Sequence, residues 1–517
     1  MKRRLLTVSI FLLSLSSAIE AQEVMDAYNL TQTELTGTAR SMSMGGAFGA
    51  LGGDVSGIAI NPAGIGVYRS SEVVTTLNFQ NVETKAGRYE GTLKDNKFKV
   101  NFNNFAFVGT FPLYNDAAPL LNVGFSYNKL KSFDRQYKTF TGGMNKSLSD
   151  YMAEKAEGLD FDALKDSEWY DSRGVDWLSI VGYDSYMIDG TGENGSYKST
   201  TSGMGITNDL LVREKGSVNS YDFNIGTTFE DMLSIGMTVA VTDIDYRMSS
   251  LYGEDVYGAG GSAGCFEMRN EQKTEGTGWQ LGLGVIFKPV QELRIGVAYH
   301  SPTWYEMSDY AYVSYDHDFT EIANQMDFSE NYRSSSGDSG DAYRYDYKMR
   351  TPDKWVFSIA GVLGANAILS LDYELTDYSK TKFDIRDTYA FYDRYDVTNA
   401  DIKDFYRLAS TLRVGGEYRI TPQFSGRIGY SWQQSPYEEI ENGGWVYTAG
   451  SVPQYVISGD KHYVTWGLGY RFSKNIYTDL AFVYRTQDSD LYFYSGADKV
   501  TLKEDGFQGA LTLGFRF

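Results

Sequence analysis

The 517-residue chain sets 47 Lys and Arg against 67 Asp and Glu, and its formal net charge of −20 disfavours a nucleic-acid partner. One cysteine, Cys265, excludes an intramolecular disulfide and argues against thiolate or cofactor chemistry. Mean hydropathy is −0.36 and no apolar run of about 18 residues follows the N-terminal segment, which excludes transmembrane helices and leaves any membrane role to strands.

Residues 1–21 read as a secretory signal peptide: Lys2, Arg3 and Arg4, an apolar run from Leu5 to Leu15, then small residues. Cleavage follows Ala21, with Ala18 as the alternative. Losing Lys2, Arg3, Arg4 and Glu20 removes a net +2 from −20, so the mature charge is −22. No cysteine lies near enough to carry a lipid anchor. With only 9 prolines and no Ser/Pro linker, the mature chain reads as one large domain.

Residues 22–72 are expected to form a compact, irregular plug. From Gly37 to Tyr68 the sequence shows neither the period-2 alternation of a strand nor the caps of a helix, and it is too glycine-rich to build its own core. Gly45, Gly46, Asn61, Pro62 and Ala63 are the candidate gating residues: glycines let the backbone shift, Pro62 stiffens one joint, and Asn61 can bond the local turn. Met42, Met44, Phe48, Leu51 and Ile60 are candidate lining for an apolar ligand without a fixed shape.

From Glu72 onward the chain reads as strands. Leu511, Leu513, Phe515 and Phe517 share one face against Thr512, Gly514 and Arg516, and Trp279, Leu281, Leu283, Val285 and Phe287 alternate with Gln280, Gly282 and Gly284. About fourteen such segments are expected: 73–83, 97–111, 119–132, 218–230, 232–247, 275–288, 292–306, 353–364, 366–379, 407–420, 423–435, 461–473, 475–488 and 505–517. Their connections alternate between tight turns, such as Glu230-Asp231 and Ser473-Lys474, and long loops, 134–217, 249–274, 307–352, 380–406 and 437–460. Short turns at one end, long loops at the other and aromatic residues near strand ends describe an outer-membrane barrel. The expected fold is therefore all-β: a transmembrane antiparallel barrel, residues 73–517, around the plug.

No enzyme site is expected. His300, His317 and His462 are too far apart in sequence to suggest a metal cluster. GGAFGALGG has no preceding strand and no following Gly-Lys-Ser/Thr, so it is not a phosphate loop. The acidic run 160–171 lacks the spacing of a calcium loop and reads as solvated surface. The barrel's inward face carries Arg294, Arg413, Arg427, Arg471 and Arg485 among Asp372, Glu374, Glu417 and Asp479, a pattern that reads first as a structural ion network. Arg413 and Arg427 are the candidates to hold an anionic ligand head group.

The stretch ARSMSMGGAFGALGGDVSGIAINPAGIGVYRSSE, with Asn61-Pro62-Ala63 as its most specific part, resembles the hatch of the FadL family of outer-membrane channels for hydrophobic compounds; RTPDKWVFSIAGVL and LSLDYELTDYS resemble that family's strands. The resemblance implies a 14-stranded barrel with an internal hatch. It also implies passive uptake of hydrophobic small molecules, long-chain fatty acids among them, and a break in the wall through which the substrate leaves; no residue pattern locates that break. The partners expected are the hydrophobic ligand, outer-membrane lipid and lipopolysaccharide, and the barrel-assembly machinery. A carrier or docking barrel in protein secretion, a haemin receptor and a non-transporting adhesin are the rival readings.

Overall fold

The computed structural model describes residues 24–517 apart from 88–92, 145, 166–174, 193–194, 259, 320–333, 339–342, 365, 386–394 and 439–451. The expected signal peptide lies outside the described residues, as does part of the acidic run 160–171. Among the described residues fourteen antiparallel strands close one barrel. They are β1 (Glu72–Gly87), β2 (Leu93–Pro112), β3 (Leu120–Ser132), β4 (Gly205–Phe229), β5 (Leu233–Gly258), β6 (Gly261–Val290), β7 (Leu293–His300, resuming as Trp304–Asp318), β8 (Tyr343–Arg350, resuming as Lys354–Leu363), β9 (Ala367–Asp377), β10 (Leu408–Arg419), β11 (Phe424–Gln433), β12 (Tyr455–Arg471), β13 (Ile476–Tyr492) and β14 (Val500–Arg516). Closure pairs β14 with β1, Phe515 opposite Val73 and Leu511 opposite Leu77. Each expected strand has its counterpart.

Alternation fixes which face is which. On β5, Ile235, Met237, Val239 and Val241 point outward and are exposed, while Ser234, Thr238 and Thr242 point inward and are buried. On β6, Trp279, Leu281, Leu283, Val285 and Phe287 do the same. Continued around the barrel, this apolar face is far too large for water, and a bilayer is the solvent that suits it. At the short-turn end, Glu230 and Asp231 both take positive φ (48° and 56°), the geometry of a tight hairpin whose twist matches the strands it joins.

Above Val241 and Trp279 the pattern inverts. Tyr246, Met248, Tyr252 and Val256 of β5, with Phe266 and Met268 of β6, are buried inside one hydrophobic cluster, while Arg247 and Asp255 face outward. The expected loop 249–274 is therefore corrected to a continuation of the β5–β6 hairpin, paired from Leu233 and Phe287 up to Gly258 and Gly261. Strand alternation persists there, but its apolar side packs on a cap instead of lipid, which hid it from a search for apolar residues facing out. The 134–217 segment supplies much of the cap: Arg135–Gly142 pairs with β4, and short helices cover Leu148–Ala156, Phe161–Lys165 and Trp177–Asp184. Leu148, Met152, Leu178, Ile180 and Val181 bury their side chains in the same cluster.

Inside the barrel the plug contains α1 (Val24–Asn29), α2 (Ala39–Ser43), α3 (Val55–Ile60) and a 3-10 turn over Pro62–Val67. It is not capless, as the sequence reading held. Thr38 accepts a hydrogen bond from Ser41 N at 3.2 Å to cap α2, and Asp54 accepts one from Ser56 N at 2.9 Å to cap α3. Helices of five or six residues are too short to show a helical period, so the caps had no visible pattern to bracket.

Candidate functional site

Asn61 caps the 3-10 turn by accepting from Ala63 N at 3.1 Å, with Pro62 at the first position, where its missing N–H costs nothing. Its amide donates to Gly49 O at 2.7 Å and to Val285 O of β6 at 3.2 Å, so one side chain ties the corner to the hatch and to the wall. His300 of β7 adds a bond between its Nε2 and Ile60 O at 3.0 Å. The wall is notched to receive this corner. A Cβ at Gly236 would stand 2.2 Å from Pro62 O, and one at Gly284 would stand 2.0 Å from Asn61 Oδ1. Only glycine permits that approach.

Charge fastens the rest of the hatch. Arg40 forks onto Glu417 at 2.9 and 3.1 Å, and Glu417 also accepts from Arg427 at 2.6 Å, whose other arm reaches Asp479 at 2.5 Å. Asp372 accepts from the backbone of Phe48 at 2.9 Å and Gly49 at 2.8 Å. Arg413 donates to Glu374 at 2.7 Å through Nη2, leaving its buried Nη1 without a hydrogen-bond partner among the described residues. Higher up, Arg485 bonds Glu34. Burial by itself would raise the Glu34 carboxyl, yet Arg485, Lys461 and Lys131 hold it below its ordinary value.

Cavities border this hatch among the described residues, three of which bear on its leader. An upper, polar one of about 140 Å³ lies under the cap between Tyr28, Arg135, Glu214, Tyr437 and Lys461. Two lower ones, about 90 and 150 Å³, share Thr33, Ala59, Leu130, Gln280, His300 and Lys354 as walls. Gln32 lines the upper cavity and one lower cavity, and Glu34 lines the upper cavity and the other. The leader from Gln32 to Glu34 is thus the partition between them, held by Lys461 to Gln32 at 3.1 Å and by the Glu34 pair.

Beside the leader the wall loses its backbone ladder. Among the described residues β2 pairs with β3 from Pro112–Leu120 up to Asn104–Asn128, although β2 continues to Leu93 along β1. β3 is irregular between Lys129 and Lys131. There the hatch takes over its carbonyls: Glu34 N donates to Leu130 O at 2.9 Å and Thr36 Oγ1 to Lys129 O at 2.5 Å. Among the described residues side chains bridge the unladdered stretch: Lys129 to Asn101 at 2.9 Å, Lys99 to Asp134 at 2.5 Å and Gln136 to Asp95 at 2.8 Å.

A family model described as outer membrane protein transport protein (OMPP1/FadL/TodX) matches residues 199–505, more than half of the chain. The chain belongs to this family. It is thus a member of a family of outer-membrane channels for hydrophobic compounds, on a closed 14-stranded barrel. Among solved structures, it is similar to a FadL homologue from Pseudomonas aeruginosa (14% identity, 94% of this chain and 99% of that one, TM-score 0.52). It is also similar to the Pseudomonas putida toluene transporter TodX (12% identity, 94% and 100%, TM-score 0.50). At these identities the likeness is one of fold. No curated protein sequence matches the chain.

Within this family member the sequence-derived site residues separate into two sets. Ile60 and Arg413 line a lower cavity. Met42 packs on Tyr463, Ala481 and Val483 of the wall, Met44, Phe48 and Leu51 cluster against Ala360, and none of the four lines the three cavities. Arg427 is spent on two carboxylates. Gly45 and Gly46 take positive φ (65° and 77°) where the hatch turns against Tyr430 and Arg413. The leader, Leu130 and His300, which line or divide these cavities, are not among the sequence-derived candidates. A visible signal existed only at the Lys129–Lys131 stretch, where two charged residues interrupt an apolar outward face.

Proposed function

We propose that this protein takes up amphipathic hydrophobic molecules with a carboxylate head, of the long-chain fatty acid class, by diffusion past the hatch and out between β2 and β3. The observation that carries the reading is that Leu130, which lines both lower cavities, lies just beyond Asn104–Asn128, the last backbone pair of β2 with β3. Arg413 supports the acid head group, since its unpartnered Nη1 belongs to a residue lining the same space as Lys354. A purely aromatic hydrocarbon, of the kind carried by the toluene transporter of similar fold, has no use for that donor. Candidate lining from Met42, Met44, Phe48 and Leu51 would come into play if the hatch shifts, with Gly45, Gly46 and the Asn61-Pro62-Ala63 corner as the joints.

The test is Leu130→Trp assayed in proteoliposomes for uptake of labelled fatty acid alongside conductance for small ions. Filling the shared wall should cut fatty-acid uptake severalfold with conductance unchanged. Unchanged uptake would remove the exit from this position.

A further inference from the structure

We propose that the outer rim of the barrel at β6–β9 is a binding site for a phosphorylated glycolipid of the outer leaflet, held by Arg350 and Lys382 beside the Trp279–Trp304 pair. Three neighbouring strands break at one level: β7 at Ser301-Pro302-Thr303, β8 at Thr351-Pro352-Asp353, and β9 at the 3-10 turn Tyr378–Lys380, beyond which Lys382–Ile385 resumes pairing with β8. Just above the breaks an outward groove of about 680 Å³ opens, lined by Trp279, Trp304, Tyr305, Lys348, Arg350 and Lys382.

Register puts four of these side chains in one row. Trp279 lies opposite Trp304, Trp304 opposite Arg350, and Arg350 opposite Lys382. The two indole rings stack with centroids 4.4 Å apart. Two cations directly opposite on neighbouring strands repel each other, a local cost that an anion between them would reverse. Nearby basic groups are matched: Lys354 lies 3.9 Å from Glu374 and Lys380 lies 3.5 Å from Asp353. One row up, Lys348 stands between Glu306 and Asp384, the two carboxylates that also border the groove. Arg350 and Lys382 form no ion pair among the described residues.

Height decides the occupant. The row sits at the upper edge of the apolar band, with Trp355, Phe357 and Ile359 exposed below it and the polar strand extensions above. A phosphate at this depth belongs to a lipid head, with sugar and acyl chains against the tryptophan pair and the apolar wall. A soluble anion would gain the charge contact but leave the groove's apolar surface uncovered. The proposal is independent of the uptake reading, since of the residues lining the outward groove Tyr305 alone also borders an inner cavity.

Purified barrel, heat-modifiable on gels as proof of folding, would be titrated with bis-phosphorylated lipid A, dephosphorylated lipid A and phosphatidylethanolamine, and the bound lipid counted by native mass spectrometry. Arg350→Glu with Lys382→Glu should lower lipid A retention about tenfold, the loss of one charge-assisted bond or more. Arg419→Glu with Lys474→Glu, the same charge change at the opposite mouth, should leave it unaltered. Equal retention by the Arg350/Lys382 variant, or equal binding of dephosphorylated lipid by the unmodified protein, would overturn the site.

Discussion

Replacing Gly236 by Ala isolates the hatch from the barrel that surrounds it. The added Cβ would stand 2.2 Å from Pro62 O, 2.5 Å from Pro62 C and 2.8 Å from Ala63 N, all backbone atoms that no side-chain rotation can move. Ordinary contact needs about 3.5 Å, so the corner must retreat by roughly 1 Å or more. That displacement stretches the 2.7 and 3.2 Å bonds of Asn61 and the 3.0 Å bond of His300 toward the limit of useful geometry. Overpacking of this kind costs about 2 kcal/mol, close to thirtyfold in the opening equilibrium of the affected segment. Hydrogen exchange of peptides covering 55–67 should accelerate by that factor while the strands of the barrel exchange as before. Gly509→Ala is the control, because its Cβ would meet nothing within 4 Å. If Gly236→Ala and Gly509→Ala exchange alike, the corner is not seated on the wall as described.

Arg413→Ala should weaken uptake of a fatty acid about tenfold more than that of an uncharged hydrocarbon, read as a rise in half-saturating concentration; equal losses would leave Arg413 with its Glu374 pair alone. Glu34→Gln should loosen the leader and raise ion conductance at neutral pH. The same release should occur in the unmodified protein on acidification, because a carboxyl held below its ordinary value stabilises the fold above that value and loses the contribution as pH falls through its own lowered one. A conductance flat in pH and indifferent to Glu34→Gln would contradict this. Removing Arg516 and Phe517 should impair assembly, since Arg516 pairs with Glu72 at 2.6 Å and Phe517 N donates to Ser71 O at 3.0 Å where the last strand meets the first; normal heat-modifiable barrel from the shortened chain would show the seam does not need them.

The barrel was legible because its strands face two unlike solvents. Trp279, Leu281 and Leu283 alternate with small or polar neighbours for a reason that acts along the whole strand, and the tight Glu230-Asp231 turn punctuates it. Beyond Val241 the same alternation continues with its apolar side turned to a cap built mainly from a distant segment, so sequence alone presented a loop. The ligand set was harder still. Met42 and Phe48 pack within the hatch and against the wall in this structure, while Leu130 and His300 take their places beside the lower cavities from an irregular strand and a docked corner, of which only the lysines flanking Leu130 leave a local pattern. Arg413 and Arg427 are alike in sequence, two inward arginines on neighbouring strands, and differ in how many carboxylates they bond: Arg427 reaches both Glu417 and Asp479, whereas Arg413 bonds Glu374 alone, with Asp372 opposite it.

The most direct test of the central claim is the single-channel conductance of the protein with residues 26–67 removed, in planar bilayers after its barrel has been verified by heat-modifiability. If the hatch occludes the lumen, the deletion should insert normally and pass small ions through an open pore, while the intact chain stays closed. A deleted barrel with no added conductance would mean that the segment does not block the channel, and the wall would not be built around a hatch.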